Sequence, residues 1–313
     1  MKRLLMLVFA SLVAGSTWAG SIDLDPARLR LASANVLVLD AAADRQLYAK
    51  AADEVTPIAS VTKLMTAMVV LDGQQSLDDV LDIDTADYDY LKNSSSRLRA
   101  GTALTRREML RLALMSSENR AASSLARHFP GGTQAFVTAM NFKAASLGLT
   151  HTHYSDPTGL SPENVSTASD LAKLVQTAAE YSLIREFTTT PSHLVEMETG
   201  RTLGFNNSNA LVKKQDWDIT LQKTGYIREA GKCVVMLVNI ASKPFVIVLL
   251  DSLGKYTRIA DAQRVKHWIE TGESVAMVPV RAARAVKVRA TSRVHHRAHG
   301  TLRPRLINTS QKR

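Results

Sequence analysis

The sequence predicts an α/β (α+β) fold: one antiparallel sheet built from both ends of the chain and flanked by helices, with a helical lobe inserted between the strand regions. Three observations predict it. Short β-branched runs stand near the start, apolar residues recur every three to four positions through the middle, and three further strand-like runs precede the last helix. A chain of 313 residues with 45% hydrophobic residues can bury a full core as one large or two small domains, which excludes a fibrous or wholly disordered protein.

Taken in order, NVLVLD (Asn35 to Asp40) and QLYAK (Gln46 to Lys50) read as a hairpin across a short polar turn. Pro57 to Gly73 reads as a helix with Leu64, Met65, Met68, Val69 and Leu71 on its apolar face, Gly73 at its end and Ser60 at or near its start. Thr105 and Glu108 have capping-box spacing and open a second helix, which the polar run Ser116 to Asn119 breaks. Helices are predicted over Arg120 to Phe129 and Gln134 to Leu147, and another after Thr167 and Asp170, again at capping-box spacing. WDITLQKTGYI, KCVVMLVNI and PFVIVLLD read as three strands, with Ser242 to Pro244 in a turn, and a final helix runs from Tyr256 to Glu270.

The ends of the chain differ from its body. Lys2 and Arg3 precede the apolar run Leu4 to Ala14, and Thr17 and Ala19 hold the small-residue positions of a cleavage site, so residues 1–19 read as a signal peptide cleaved after Ala19. The run is too short for a transmembrane anchor, and a soluble protein in an extracytoplasmic compartment is expected. From Arg281 to Arg313 there are ten Lys or Arg and no Asp or Glu, so the net charge of +10 belongs to the tail and the remainder is balanced. Residues 280–313 therefore read as a disordered basic extension that meets envelope polyanions; in an exported chain this charge does not point to nucleic acid. Cys233, the single cysteine, lies in an apolar strand and reads as a core thiol, so neither an intrachain disulfide nor a cysteine zinc cluster can form.

Three motifs carry chemistry. Ser-Val-Thr-Lys places Lys63 one helical turn from Ser60, where a neutral amine can take the serine proton; a Ser-x-x-Lys tetrad arises about once by chance in such a chain and says little alone. Ser117-Glu118-Asn119 falls in a helix break, where a second hydroxyl can relay a proton and an amide can hold a substrate carbonyl. Lys223-Thr224-Gly225 falls on a strand, offering a cation and hydroxyl for a carboxylate and a glycine that lets substrate approach the backbone. His151, His153 and Asp156 lack a third ligand with helix-face spacing and are not read as a metal site, and Ser94 to Ser96 reads as a solvated loop.

Together these motifs resemble the low-molecular-mass penicillin-binding proteins, serine D,D-peptidases, and among them the periplasmic D-alanyl-D-alanine endopeptidases. TPIASVTKLMTAMVVLD from Thr56, ALMSSENRAASSLA from Ala113 and LQKTGY from Leu221 carry the likeness, and DPTGLS, NVSTASDLAKL and GKYTRIADAQRVKHWIETG extend it over roughly residues 34 to 279. The resemblance implies a β-lactamase/D,D-peptidase-like catalytic domain over residues 20–279. It implies that Ser60 attacks, Lys63 activates it, Ser117 passes a proton to the leaving amine and Asn119 positions substrate. It also implies that Lys223 and Thr224 bind a carboxylate, with Gly225 beside them and the N–H groups of Ser60 and Tyr226 forming an oxyanion hole. No cofactor or metal is implied; the expected partners are peptidoglycan cross-links and stem peptides, with β-lactams as covalent inhibitors. A D,D-carboxypeptidase is the alternative. A β-lactamase is disfavoured by Glu118 in place of Asp and by the lack of a Glu-x-x-Leu-Asn element.

Overall fold

In the computed structural model the described residues are 24–197, 200–254 and 256–275. The expected signal peptide and the whole region assigned to the basic tail lie outside them.

The hairpin forms as β1 (Asn35–Asp40) and β2 (Arg45–Lys50), paired antiparallel. A two-residue strand β3 (Thr56–Pro57) leads into a single 3-10 turn over Ala59–Thr62 and then α1 (Lys63–Asp72). The predicted helix from Pro57 is thus two pieces, and Ser60 sits in the tight turn before α1. Ala59 takes a left-handed φ of 47°, and the Thr62 hydroxyl donates to the Ala59 carbonyl at 2.8 Å.

The inserted lobe begins with β4 (Val80–Asp82) and β5 (Ala103–Thr105), followed by α2 (Arg106–Met115), α3 (Asn119–Arg127) and α4 (Gly132–Ser146). The Thr105 hydroxyl accepts from the Glu108 N–H, so half of the expected capping box exists. Its other half does not, because the Glu108 carboxylate turns to His193 at 2.7 Å. Then β6 (Val165–Ser166) pairs with β3, and α5 (Ala168–Ala178) is capped by Thr167 through the Asp170 N–H. The next pieces, α6 (Ser182–Thr189) and the hairpin β7 (Ser192–Glu196) with β8 (Thr202–Asn206), were not predicted.

The three predicted strands are β9 (Asp218–Ile227), β10 (Gly231–Ile240) and β11 (Lys243–Ser252), and α7 (Thr257–Thr271) closes the described chain. Ala241 and Ser242, both at positive φ, make the two-residue turn between β10 and β11, as the right-handed strand twist favours. The sheet order is β2-β1-β11-β10-β9, every pair antiparallel, so the two chain ends do build one sheet.

Alternation along the strands divides the core in two. Leu37, Leu39, Cys233, Val235, Val246 and Val248 face a cluster shared with α1, α2 and α5. Val36, Val38, Val234, Met236, Ile247 and Leu249 face Ala262, Val265 and Trp268 of α7. Central strands carry apolar residues on both faces because both faces are covered, and β9 stands at the edge beside the lobe.

Candidate active site

The nucleophile turn is held from three directions. Asn164, fully buried, donates from Nδ2 to the Thr62 hydroxyl at 3.0 Å and to the Asp156 carbonyl, while its Oδ1 accepts from the N–H groups of Ser155 and Asp156. Asp156 in turn accepts from the N–H groups of Thr158, Gly159 and Ser161, folding residues 156–161 into a tight loop. The Asp156 carboxylate is thus occupied by its own loop, accepting from the Thr158 hydroxyl as well. Gly159, at φ +79°, is where loop and turn meet: a methyl there would lie 2.0 Å from the Ala59 carbonyl oxygen. The third support is β9, where a methyl on Gly225 would come 2.8 Å from the Ile58 oxygen and 3.0 Å from the Ser60 nitrogen. The glycine of the Lys-Thr-Gly motif thus makes room for the nucleophile's own backbone.

This packing delivers three oxygens to one amine. Lys63 Nζ lies 2.9 Å from Ser60 Oγ, 2.7 Å from Asn119 Oδ1 and 2.6 Å from the Thr158 carbonyl. Asn119 Nδ2 donates to Ser94 Oγ at 2.9 Å, which fixes its carbonyl end toward the lysine. Burial pulls the Lys63 pKa down to about 7, although Asp156, Glu118 and Asp89 attract its charge and oppose the fall. A neutral amine has two N–H donors and one lone pair. Because Thr158 O and Asn119 Oδ1 can only accept, the lone pair is left for the one partner with a proton to give, the Ser60 hydroxyl.

Ser117 joins α2 to α3 in the left-handed region, at φ 63°, a conformation costing a non-glycine residue about 1 kcal/mol. Helix capping holds it there: Glu118 N–H bonds to the Leu112 carbonyl, and the Glu118 carboxylate accepts from the Arg120 N–H. Its Oγ lies 2.9 Å from Lys223 Nζ, which also donates to the Thr224 carbonyl. Burial drives the Lys223 pKa well below the ordinary lysine value, and the charges of Lys63 and Arg258 push it the same way. Thr224 Oγ1 donates to Ser208 Oγ at 2.7 Å, and Arg258 on α7 donates to the Gly225 carbonyl at 3.0 Å.

These groups border one open cleft of about 470 Å3, lined among others by Ser60, Ser117, Asn119, Ser208, Thr224 and Arg258, with Gly225 and Tyr226 at its strand side. Lys63 and Lys223 lie behind the wall, each fully buried. All eight predicted site residues meet at this place. Three contributors were not read from the sequence: Ser94, Thr158 and Arg258. Thr158 and Arg258 each carried a signal, since DPTGLS and GKYTRIADAQRVKHWIETG already matched the family resemblance. Among the described residues no cluster of His, Cys, Asp or Glu is arranged to hold a metal, and no helix is long and apolar enough to cross a membrane.

A serine hydroxyl at a helix-initiating turn, a buried lysine with a lone pair for it, and a second serine–lysine pair across the cleft define a serine acyl-transfer enzyme. Residues 23–254 match the family described as D-alanyl-D-alanine carboxypeptidase (Peptidase S11). The D-alanyl-D-alanine endopeptidase of Pseudomonas aeruginosa is 49% identical over 253 residues, covering 80% of this chain and 82% of that protein. The D-alanyl-D-alanine endopeptidase of Escherichia coli is 44% identical over 281 residues, covering 90% and 89%. The crystal structure of the Streptomyces K15 DD-transpeptidase superposes with a TM-score of 0.72 at 28% identity, covering 78% of this chain and 98% of that one. The chain belongs to the D-alanyl-D-alanine carboxypeptidase family of serine peptidases and is a hydrolase with the D,D-peptidase fold.

Proposed function

We propose that this protein is a periplasmic D,D-endopeptidase that hydrolyses D-alanyl–diaminopimelyl cross-links of peptidoglycan through an acyl-enzyme on Ser60. The observation that carries the catalytic reading is the buried Lys63 amine 2.9 Å from Ser60 Oγ, with its other two partners able only to accept. The names of the two endopeptidase relatives support the choice of bond.

In the first half-reaction Ser60 Oγ adds to the D-alanyl carbonyl carbon and its proton passes to Lys63. The N–H groups of Ser60, at the start of a 3-10 turn, and of Tyr226 receive the oxyanion. As the C–N bond breaks, the leaving amine takes a proton from Ser117 Oγ, held in place by Lys223, and the proton that Lys63 gained passes across the site to restore Ser117, so Lys63 enters the second half neutral. In the second half, water adds to the acyl carbon, Lys63 accepts its proton, and Ser60 recovers one as the ester opens. Thr224, Ser208 and Arg258 line the cleft where the substrate carboxylate would lie, and Lys223 stands behind them, where the anion would favour its charged form. The cyclic amide of a β-lactam enters by the same first step, giving a stable penicilloyl-Ser60.

Residues 1–19 as a cleaved leader, and the ten basic residues after Pro279 as an adhesive tail for envelope polyanions, complete the proposal. A carboxypeptidase reading is favoured by the family's description and by the carboxylate that both substrates present beside the scissile nitrogen. Incubation with cross-linked muropeptide dimers and with a pentapeptide separates the two. Release of monomers by the wild type and not by Ser60→Ala is expected; loss of terminal D-alanine with dimers intact would refute the endopeptidase reading.

A further inference from the structure

A second cavity, of about 560 Å3, lies beyond the loop that forms one side of the catalytic cleft, between residues 96–103 and the β7–β8 hairpin. Its chemistry is lopsided. Arg97, Arg99 and Arg201 line it together with Ser96 and the apolar Met197 and Leu203, and no acidic side chain stands among the described lining residues. None of the three arginines forms an ion pair among the described residues. Arg97 is nonetheless fixed: its guanidinium stacks 4.0 Å over the Phe205 ring and donates from Nη1 to the Gly204 carbonyl. The rim is fixed as well, since Gly101 N–H bonds to the Ile83 carbonyl and Ile83 N–H to the Thr102 carbonyl, each at 2.8 Å.

Three like charges beside one cavity repel one another and stabilise nothing in the fold by ion pairing, whereas a carboxylate placed among them meets planar donors suited to it. One loop contributes to both cavities. Lys92 and Ser94 line the catalytic cleft, while Ser96 and Arg97 line this cavity. Even fully extended, the step from Ser94 to Arg97 spans at most about 11 Å, within reach of a stem peptide of a few residues.

We propose that this cavity is an anion subsite that takes a free carboxylate of a stem peptide in the cross-linked substrate, with Arg99 and Arg201 as its exposed donors and Arg97 as its fixed base. The assignment rests on the endopeptidase reading for its substrate. A cross-link joins two stems, so it presents carboxylates away from the scissile bond that a short terminal peptide places elsewhere. Binding beyond the reacting centre would select the dimer by lowering its dissociation constant.

The test is binding to the catalytically inert Ser60→Ala protein, so that it does not depend on cleavage. Calorimetry with a muropeptide dimer should show about tenfold weaker binding when Arg99→Gln and Arg201→Gln are added, and the difference should shrink as salt is raised. Equal affinity for the dimer with and without the arginines overturns the subsite. A dimer with amidated stem carboxylates should bind both proteins equally weakly; if it keeps the arginine dependence, another anion is the occupant and the assignment fails. With Ser60 restored, acylation by a fluorescent penicillin should be unchanged by the two substitutions, and a fall would mean a damaged fold and count against the subsite. A wild type that binds the dimer through the arginines without cutting it would leave the subsite standing and remove the endopeptidase reading.

Discussion

The two sides of the cleft each pair a serine with a buried lysine, yet they are built for different work. On the helix side Lys63 is surrounded by three oxygens and by the charges of Asp156, Glu118 and Asp89, so the loss of hydration is partly offset and its pKa settles at about 7. On the strand side Lys223 has two oxygens, and the charges that act on it, Lys63 and Arg258, are both positive. One amine is poised to change protonation near neutral pH; the other has its charge disfavoured both by burial and by its positive neighbours. Burial is common to both. What separates them is the sign of the neighbouring charge.

Three substitutions test that difference, in decreasing order of effect. Lys63→Met removes the group that takes the Ser60 proton, and stopped-flow acylation by benzylpenicillin should slow about 10³-fold. Lys223→Met leaves Ser60 and its base in place. Peptide turnover and penicillin acylation must each protonate a departing nitrogen, and both should fall about 10²-fold, less than after Lys63→Met. Losses as large as those of Lys63→Met would show that the two lysines are not specialised. Ser94→Ala removes one acceptor from Asn119 and allows its amide to rotate away from Lys63, with an expected three- to fivefold slower acylation.

How far these parts were legible in the sequence follows the distance over which they act. Ser60 and Lys63 lie one turn apart, and Thr105 and Thr167 cap helices through residues three positions on; such local relations are visible in spacing. The sheet was legible because β1, β10 and β11 are buried on both faces and need continuous apolar runs. Helix α6 and the β7–β8 hairpin were not, because they are short: α6 has eight residues, and each hairpin strand shows a single fully buried position.

The misread parts of the site are long-range. Ser94, read as a solvated loop residue, meets Asn119 across 25 positions; Thr158 meets Lys63 across 95; Arg258 meets Gly225 across 33. Nothing in local composition marks such meetings. Gly225 was identified as necessary, but the reason lies in Ile58 and Ser60, which only the folded chain brings against it. The capping boxes failed by half for a related reason: the carboxylates of Glu108 and Asp170 found tertiary donors, His193 for the first and His151 N–H and Thr152 for the second.

The depressed pKa of Lys63 also ties the site to stability. Between about pH 7 and 10.5 the unfolded chain keeps a lysine proton that the folded one has lost, so this group's contribution to folding stability increases as pH rises across that window.

The most direct test of Lys63 as a neutral base is the pH dependence of acylation by a β-lactam whose own charge is constant from pH 5 to 9. The second-order rate constant should rise with pH, with a midpoint near 7, and then level off. A rate that is flat over this range, or one still climbing at pH 9, would contradict the account.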